Sequence, residues 1–464
     1  MSLPPCFSTN ENAARATPLV LLDSASLPAW LAKQPAAIGR WTQAQNFNAD
    51  TGSALLVPDA EGAPRCALAG IGDVEDPYAS AFLPFALPPG DYRLDPRSPH
   101  AVDPGILLLG WGLGAYRFER YRASQRPPAR LVLEDTAAEL SESFALLKAS
   151  TLVRDLINTP TEDLGPDQLE AVAHRLAQAY GATIQVIVGD ALLTENFPAI
   201  HTVGRASHRT PRLIELHWGN PAHPHVAIVG KGVCFDTGGL DIKTVDGMRN
   251  MKKDMGGGAH ALGLAQLVMA CKLPVRMTLL VPAVENAISA SSYRPGDVVR
   301  TRSGITVEID NTDAEGRMVL CDAMSYVIEQ SPALLLDFST LTGAARVALG
   351  PDLPALFCND ERLASEYLDA SARVRDPVWR MPLWRPYESY LKSNVADLVN
   401  TGNSRMAGAI TAAVFLERFV PATLPWAHID GYAWNDAERP GRPAGGEAQG
   451  LRAAFALLKR RFAK

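Results

Sequence analysis

The sequence predicts an α/β protein: a small N-terminal α/β domain over residues 1–135, a linker helix over 136–160, and a larger domain over 161–464 built on a mixed, mostly parallel sheet covered by helices. Three observations carry this. The chain has 464 residues, enough for two or three domains with buried cores. Beyond residue 160 short apolar runs alternate with helix-spaced stretches, the pattern of strands linked by crossover helices. Between the two regions a single helical stripe, Leu140, Phe144, Leu147, Leu152 and Leu156, runs up to Thr159-Pro160, which stops it.

The elements follow in order. Before residue 135 the chain is rich in Pro and Gly, and apolar runs at 53–57, 66–71, 105–111 and 130–134 read as strands between turns. In the larger domain strands are expected at 183–188, 213–216, 226–229, 278–281 and 334–338, with helices near 167–179, 257–270 and 318–329. No fixed-period repeat breaks this order, which excludes solenoids and propellers.

Composition narrows the class. Hydrophobic residues make up 47% and charged residues 20%, the balance of a folded globular chain. Lys and Arg number 44 against 50 Asp and Glu, a net charge of -6, so nothing draws the whole molecule to nucleic acid or an anionic membrane. Six cysteines without a CxxC pair indicate neither a disulfide framework nor a thiolate zinc site, and reduced thiols in a cytoplasmic protein are expected. No basic segment precedes a signal-length apolar run near the start, and the most apolar window, 105–116, is well short of the roughly 18 residues of a spanning helix.

Chemistry concentrates in two segments. In the first, 226–263, an apolar strand ends in Gly230-Lys231-Gly232, and Asp236, Lys243 and Asp254 follow in glycine-rich loops. Ligands of open α/β sheets bind beyond the carboxyl ends of strands, so these side chains stand where a site would be built. The phosphate-loop pattern GxxxxGK[ST] is absent. In the second, 307–321, Asp313, Glu315 and Arg317 alternate at i, i+2 and i+4, which in an extended stretch points all three one way, just ahead of a helix that begins near 318. Taken singly each has a plainer reading: a solvated lysine, a turn-forming aspartate, a surface ion pair. The nine histidines form no HExxH or HxxH pair and read as surface or packing residues. Together the carboxylates would repel one another unless cations compensate them, and two divalent metals are the economical compensation.

The runs NTDAEGR at 311–317, VGKGVCFDTGGLDIK at 229–243 and MKKDMGGGA at 251–259, with RDLINTP at 154–160 and TLTGA at 340–344, closely resemble the leucine aminopeptidase (cytosol aminopeptidase) family. The likeness covers about residues 140–435, while residues 439–451 lack the GATG-like run common near that point. It implies that residues 161–464 form a catalytic aminopeptidase domain holding two divalent ions, Mn²⁺ or Zn²⁺, that share Asp236 and Glu315. One site would add Lys231 and Asp254, and the looser one Asp313. A lysine ligand binds as the neutral amine, so a strongly lowered pKa is expected at Lys231, a shift that two adjacent dications and burial produce. By the same resemblance Lys243 polarises the scissile carbonyl, Arg317 holds a bicarbonate acting as general base toward a metal-bridging water, and Met251, Thr340 and Gly343 line the pocket for the first side chain, preferably leucine or another apolar one. The expected partners are peptides with a free N-terminus and five further copies in a homohexamer, with no membrane and no nucleic acid. Two other classes remain open here: a hexameric scaffold or DNA-binding regulatory protein, and a two-metal phosphoesterase.

Overall fold

A computed structural model describes residues 3–133 and 139–463. The chain divides into two compact units, Met1–Thr151 with Ala437–Ala444, and Leu152–Asp436 with Gly445–Lys464. The expected domain boundary at 135, the expected start of the linker helix at 136 and the Glu134 end of the expected strand 130–134 lie outside the described residues.

The first unit is built on a six-stranded sheet in the order Phe7–Ser8, Arg130–Val132, Asp91–Leu94, Thr17–Leu22, Pro64–Gly70, Ala54–Pro58, parallel throughout except for the last pair. Alternation along Thr17–Leu22 divides the interior: Leu19 and Leu21 enter one apolar cluster with Trp111, and Val20 and Leu22 enter another with Trp30 and Phe47. The run expected as a strand at 105–111 is instead part of the helix Pro104–Ala115. Asp103 caps it by accepting from the Gly105 and Ile106 amides, and Pro104 occupies its first turn. Apolar on all sides and buried from Leu107 to Gly114, it shows no period that would separate it from a buried strand.

The second unit carries a nine-stranded mixed sheet in the order Trp379–Arg380, Ala355–Cys358, Trp426–Asp430, Leu334–Ser339, His225–Gly230, Arg276–Asn286, Arg212–Trp218, Thr183–Val188. Its centre is parallel, and the ninth strand, Gly232–Asp236, pairs in parallel with the far half of Arg276–Asn286. The mixed, mostly parallel architecture follows the sequence expectation, as do the five strands and the helices Pro166–Tyr180 and Gly256–Ala270. Ala227 and Val229 pack on Met318, Val319 and Leu320 of the helix Glu315–Glu329. Gly256–Ala270, buried from end to end apart from its last residue, lies against His225–Gly230 and Leu334–Ser339. Arg154, from the RDLINTP run, is buried in a two-pronged pair with Glu447 at 3.0 and 3.1 Å, which gives that motif a structural role. Among the described residues no helix is long and apolar enough to cross a membrane.

Candidate metal centre

The central parallel strands deliver their following residues to one place. His225–Gly230 runs beside Leu334–Ser339 until Phe338 meets Gly230, and there the chain leaves that neighbour. Lys231 fills the break, its amide donating to the Phe338 carbonyl at 2.9 Å and its own carbonyl accepting from Gly258 at 2.7 Å. Past the break Gly232–Asp236 continues along Arg276–Asn286, ending with Asp236 opposite Asn286. Thr340 follows the next strand, and Asp254 comes from the short 3₁₀ helix Met251–Met255 that leads into the buried helix.

Seven of the expected residues meet here. Lys231 Nζ lies 2.7 Å from Asp254 Oδ2 and 2.8 Å from Glu315 Oε1, all three being buried. Lys243 Nζ lies 2.8 Å from Asp236 Oδ2 and in contact with Asp313 Oδ1. Asp236 Oδ1 accepts from the Gly238 amide and from Asn286 Nδ2, both at 2.8 Å. Thr340 Oγ1 donates to Asp254 Oδ1 at 2.7 Å. Ligand atoms of Asp236, Asp313 and Glu315 fall within 4.8 Å of one another. Lys231 is packed so closely on the helix that begins at Glu315 that a Cβ at Gly316 would lie 2.6–2.8 Å from the outer atoms of its side chain.

The other three expected residues lie on the adjoining elements. Arg317 is buried, donating from Nη1 to the Asn400 carbonyl at 2.6 Å, while its Nε has no hydrogen-bond partner. Met251 opens the 3₁₀ helix that carries Asp254. Gly343 is exposed at the start of the helix Gly343–Leu349, with open space where a side chain would project.

One expectation needs correction. The stretch through Asp313, Glu315 and Arg317 is not extended: the chain turns at Asp313 and the helix starts at Glu315, so Glu315 and Arg317 lie in its first turn. Loop geometry, not β alternation, sets Asp313 and Glu315 together. The lowered pKa expected at Lys231 belongs to an amine beside two dications, and without them the shift is upward. Burial opposes its charge, but the carboxylates of Asp254, Glu315 and Asp236 outweigh burial and hold it above its ordinary value. Only added positive charge among those carboxylates would reverse the sign.

Electrostatics otherwise follow from too many carboxylates in one buried place. Burial and then Asp236 push Glu315 up to about 8 and Asp313 up to about 7. Burial lowers Arg317 to about 10. Asp254 Oδ2, Glu315 Oε1 and Asp313 Oδ1 are buried with no hydrogen-bond partner, although lysine nitrogens stand close by, because those approaches lack hydrogen-bond geometry. Carboxylate oxygens with one amine form a donor set that suits hard or borderline divalent ions such as Mn²⁺ and Zn²⁺, and the orphaned oxygens are the acceptors such ions would satisfy.

Several residues that hold the site gave no sequence reading. Asp241 Oδ2 accepts from the Thr312 amide at 2.8 Å, and Thr312 Oγ1 donates to the Gly238 carbonyl at 2.6 Å, joining the loop of Lys243 to that of Asp313. Asn286 Nδ2 also donates to the Thr312 carbonyl at 3.0 Å, and the Tyr293 hydroxyl donates to the same oxygen at 2.5 Å. Asn400 Oδ1 accepts from the Asp310 and Asn311 amides at 2.9 and 3.2 Å. Asp241 lies within a run already marked as chemical, so its charge was a usable signal. Asn400 offers none.

Known proteins resemble this chain over most of its length. A family model described as "Cytosol aminopeptidase family, catalytic domain" matches residues 151–455, and one described as "M17 aminopeptidase, N-terminal domain" matches 17–134. A probable cytosol aminopeptidase of Syntrophotalea carbinolica is 40% identical over 371 residues, 76% of this chain and 74% of that protein. One of Chlorobium limicola is 35% identical over 459 residues, 90% of this chain and 91% of that protein. Among solved structures, a cytosol aminopeptidase from Coxiella burnetii is 48% identical with a TM-score of 0.95, covering 99% of this chain and 100% of its own. The bottromycin maturation enzyme BotP, solved in complex with Mn, is 32% identical with a TM-score of 0.85, covering 96% and 99%.

Proposed function

Because the chain belongs to the cytosol aminopeptidase family, a metal-dependent hydrolase that acts on peptides, we propose that it removes N-terminal residues, leucine and other apolar ones among them, by attack of water at a centre of two divalent ions. The observation that carries this is the cluster of Lys231, Asp236, Asp254, Asp313 and Glu315, which gathers four carboxylates and an amine with buried oxygens left unsatisfied.

Asp236 and Glu315 would serve both ions, Lys231 and Asp254 would complete one site, and Asp313 the other. When bound, a pair of Mn²⁺ or Zn²⁺ ions supplies Lewis acidity and acidifies water at neutral pH. Everything else is the work of this chain. Lys243, held against Asp236 and Asp313, aims an ammonium at the oxygen that gains charge as the carbonyl is attacked. Arg317 keeps a guanidinium Nε unpartnered in a buried position, which suits an anion such as bicarbonate that takes up a proton. Thr340 fixes Asp254 by a hydrogen bond, and Met251 and Gly343 bound the space for the first side chain. A cytoplasmic homohexamer completes the proposal, on the family resemblance.

The test is hydrolysis of a leucine arylamide by protein stripped of metal and then resupplied with Mn²⁺ or Zn²⁺, beside an Asp313→Asn control. Release that depends on metal and fails in the control is the expected result. No release under either metal, from folded protein, overturns the reading, and light scattering on the same sample tests the sixfold mass.

A further inference from the structure

We propose that the pocket for the first side chain recognises an acidic residue, with Lys253 pairing to its carboxylate and Arg346 as a second cation beside it. This rests on the aminopeptidase reading and sharpens its substrate class: peptides beginning with glutamate or aspartate are cleaved in preference to those beginning with the neutral isosteres.

Lys253 is 6% exposed and lies between Met251 and Asp254 on the 3₁₀ helix Met251–Met255. Among the described residues its side chain makes no hydrogen bond and no ion pair; its Nζ stands 5.0 Å from the centre of the Tyr432 ring. Arg346, one turn along the helix that Gly343 opens, places its guanidinium 4.6 Å from the centre of the same ring, again without a carboxylate partner. Two cations therefore converge on one aromatic side chain. The segment of Tyr432 adjoins the other pocket residues, since a Cβ at Gly256 would lie 2.8 Å from Ala433 Cβ and 3.0 Å from Thr340 Cγ2.

The neighbouring acids are already engaged. Asp254 is taken by Lys231 and Thr340. Asp430 accepts from the Leu341 and Thr342 amides at 2.7 and 3.2 Å and from the Thr342 hydroxyl at 2.6 Å. Asp436 accepts from the Tyr432 hydroxyl at 3.0 Å. A buried ammonium with no counter-charge is costly, and the chemistry assigned to Lys231 and Lys243 leaves no use for a third lysine. A substrate carboxylate at the end of two methylenes laid along Met251 supplies the missing partner. Leucine leaves the ammonium as it stands, and glutamine offers only a neutral acceptor.

The experiment compares glutamyl, glutaminyl and leucyl arylamides with the metal-loaded protein, and measures binding of L-glutamate and L-glutamine by calorimetry. We expect kcat/KM for the glutamyl substrate to exceed that for the glutaminyl one by at least ~10-fold, and the same order in product affinity. Lys253→Met should bring both ratios to about one, and Arg346→Gln, at an exposed position that does not threaten folding, should lower them by a smaller factor. Equal rates and equal affinities for the acid and its amide in the native protein overturn the inference, as does a Lys253→Met variant that keeps both ratios. Leucyl hydrolysis without any preference for glutamyl overturns this inference alone, whereas failure to cleave any of the three overturns the aminopeptidase reading beneath it.

Discussion

Lys243 stands between two carboxylates, and what those carboxylates keep in its absence decides the effect of removing it. Asp236 retains the Gly238 amide and the Asn286 side chain, and Asp313 retains its main-chain bond to Asn311 Oδ1 at 2.7 Å. Lys243→Ala should therefore leave bound metal unchanged by elemental analysis while lowering kcat by ~10²–10³, the usual loss of one preorganised donor to a developing oxyanion. Loss of metal in that variant would move Lys243 from the reaction to the holding of the ions. Asp254→Ala should do the reverse. Its carboxylate is fixed by Thr340 and neutralises Lys231, so without it one ion should be lost along with nearly all turnover. Full metal content in that variant would remove Asp254 from the ligand set.

At the level of elements, the site depends on two loops tied by Asp241 and Thr312, and the small unit on a helix packed without clearance. Asp241→Ala removes the acceptor of the Thr312 amide, freeing Asp313 and Lys243 to drift; metal affinity should weaken by ~10-fold and thermal stability fall modestly, with an unchanged affinity refuting the clasp. In Pro104–Ala115 a Cβ at Gly114 would lie 1.8 Å from the Ala81 carbonyl oxygen, so Gly114→Ala should cost ~1–3 kcal/mol in denaturant unfolding. These two cases also mark where the sequence was readable. The strand carrying Lys231 and the acidic run 311–317 announced themselves by apolar patterning and by charge at a strand end. A run apolar on all sides, such as 105–111, carries no period and reads in sequence as a strand. Asp313, Glu315 and Arg317 were expected in an extended chain because spacing alone ignores the loop bonds that start the helix at Glu315. Asn400 was invisible: it acts through amide groups on a loop some ninety positions away, as its bonds to Asp310 and Asn311 record.

At the scale of the whole molecule the metal centre and the stability of the chain are one equilibrium. In metal-free protein Glu315 sits at about 8 and Asp313 at about 7, whereas in the unfolded chain both titrate near ~4. A carboxyl whose folded pKa is raised binds its proton more tightly when folded. The stability it contributes is thus fully present below the unfolded value and lost as pH rises through the folded one. Lys231, also raised, contributes stability that persists across this range, because its unfolded value already lies above it. Through these two groups metal-free protein should therefore lose melting temperature between about pH 4 and 8. With saturating Mn²⁺ the trend should weaken or reverse, since the same ionised carboxylates then become ligands and binding to the folded state alone adds stability. If Lys231 coordinates as proposed it must release a proton, so calorimetry in buffers of different ionisation enthalpy should detect about one or more protons released per metal pair near pH 7, with affinity tightening as pH rises. A metal-free melting temperature that is flat or rising over that interval, or binding without proton release, would show that Glu315, Asp313 and Lys231 do not share the charge of a common metal centre.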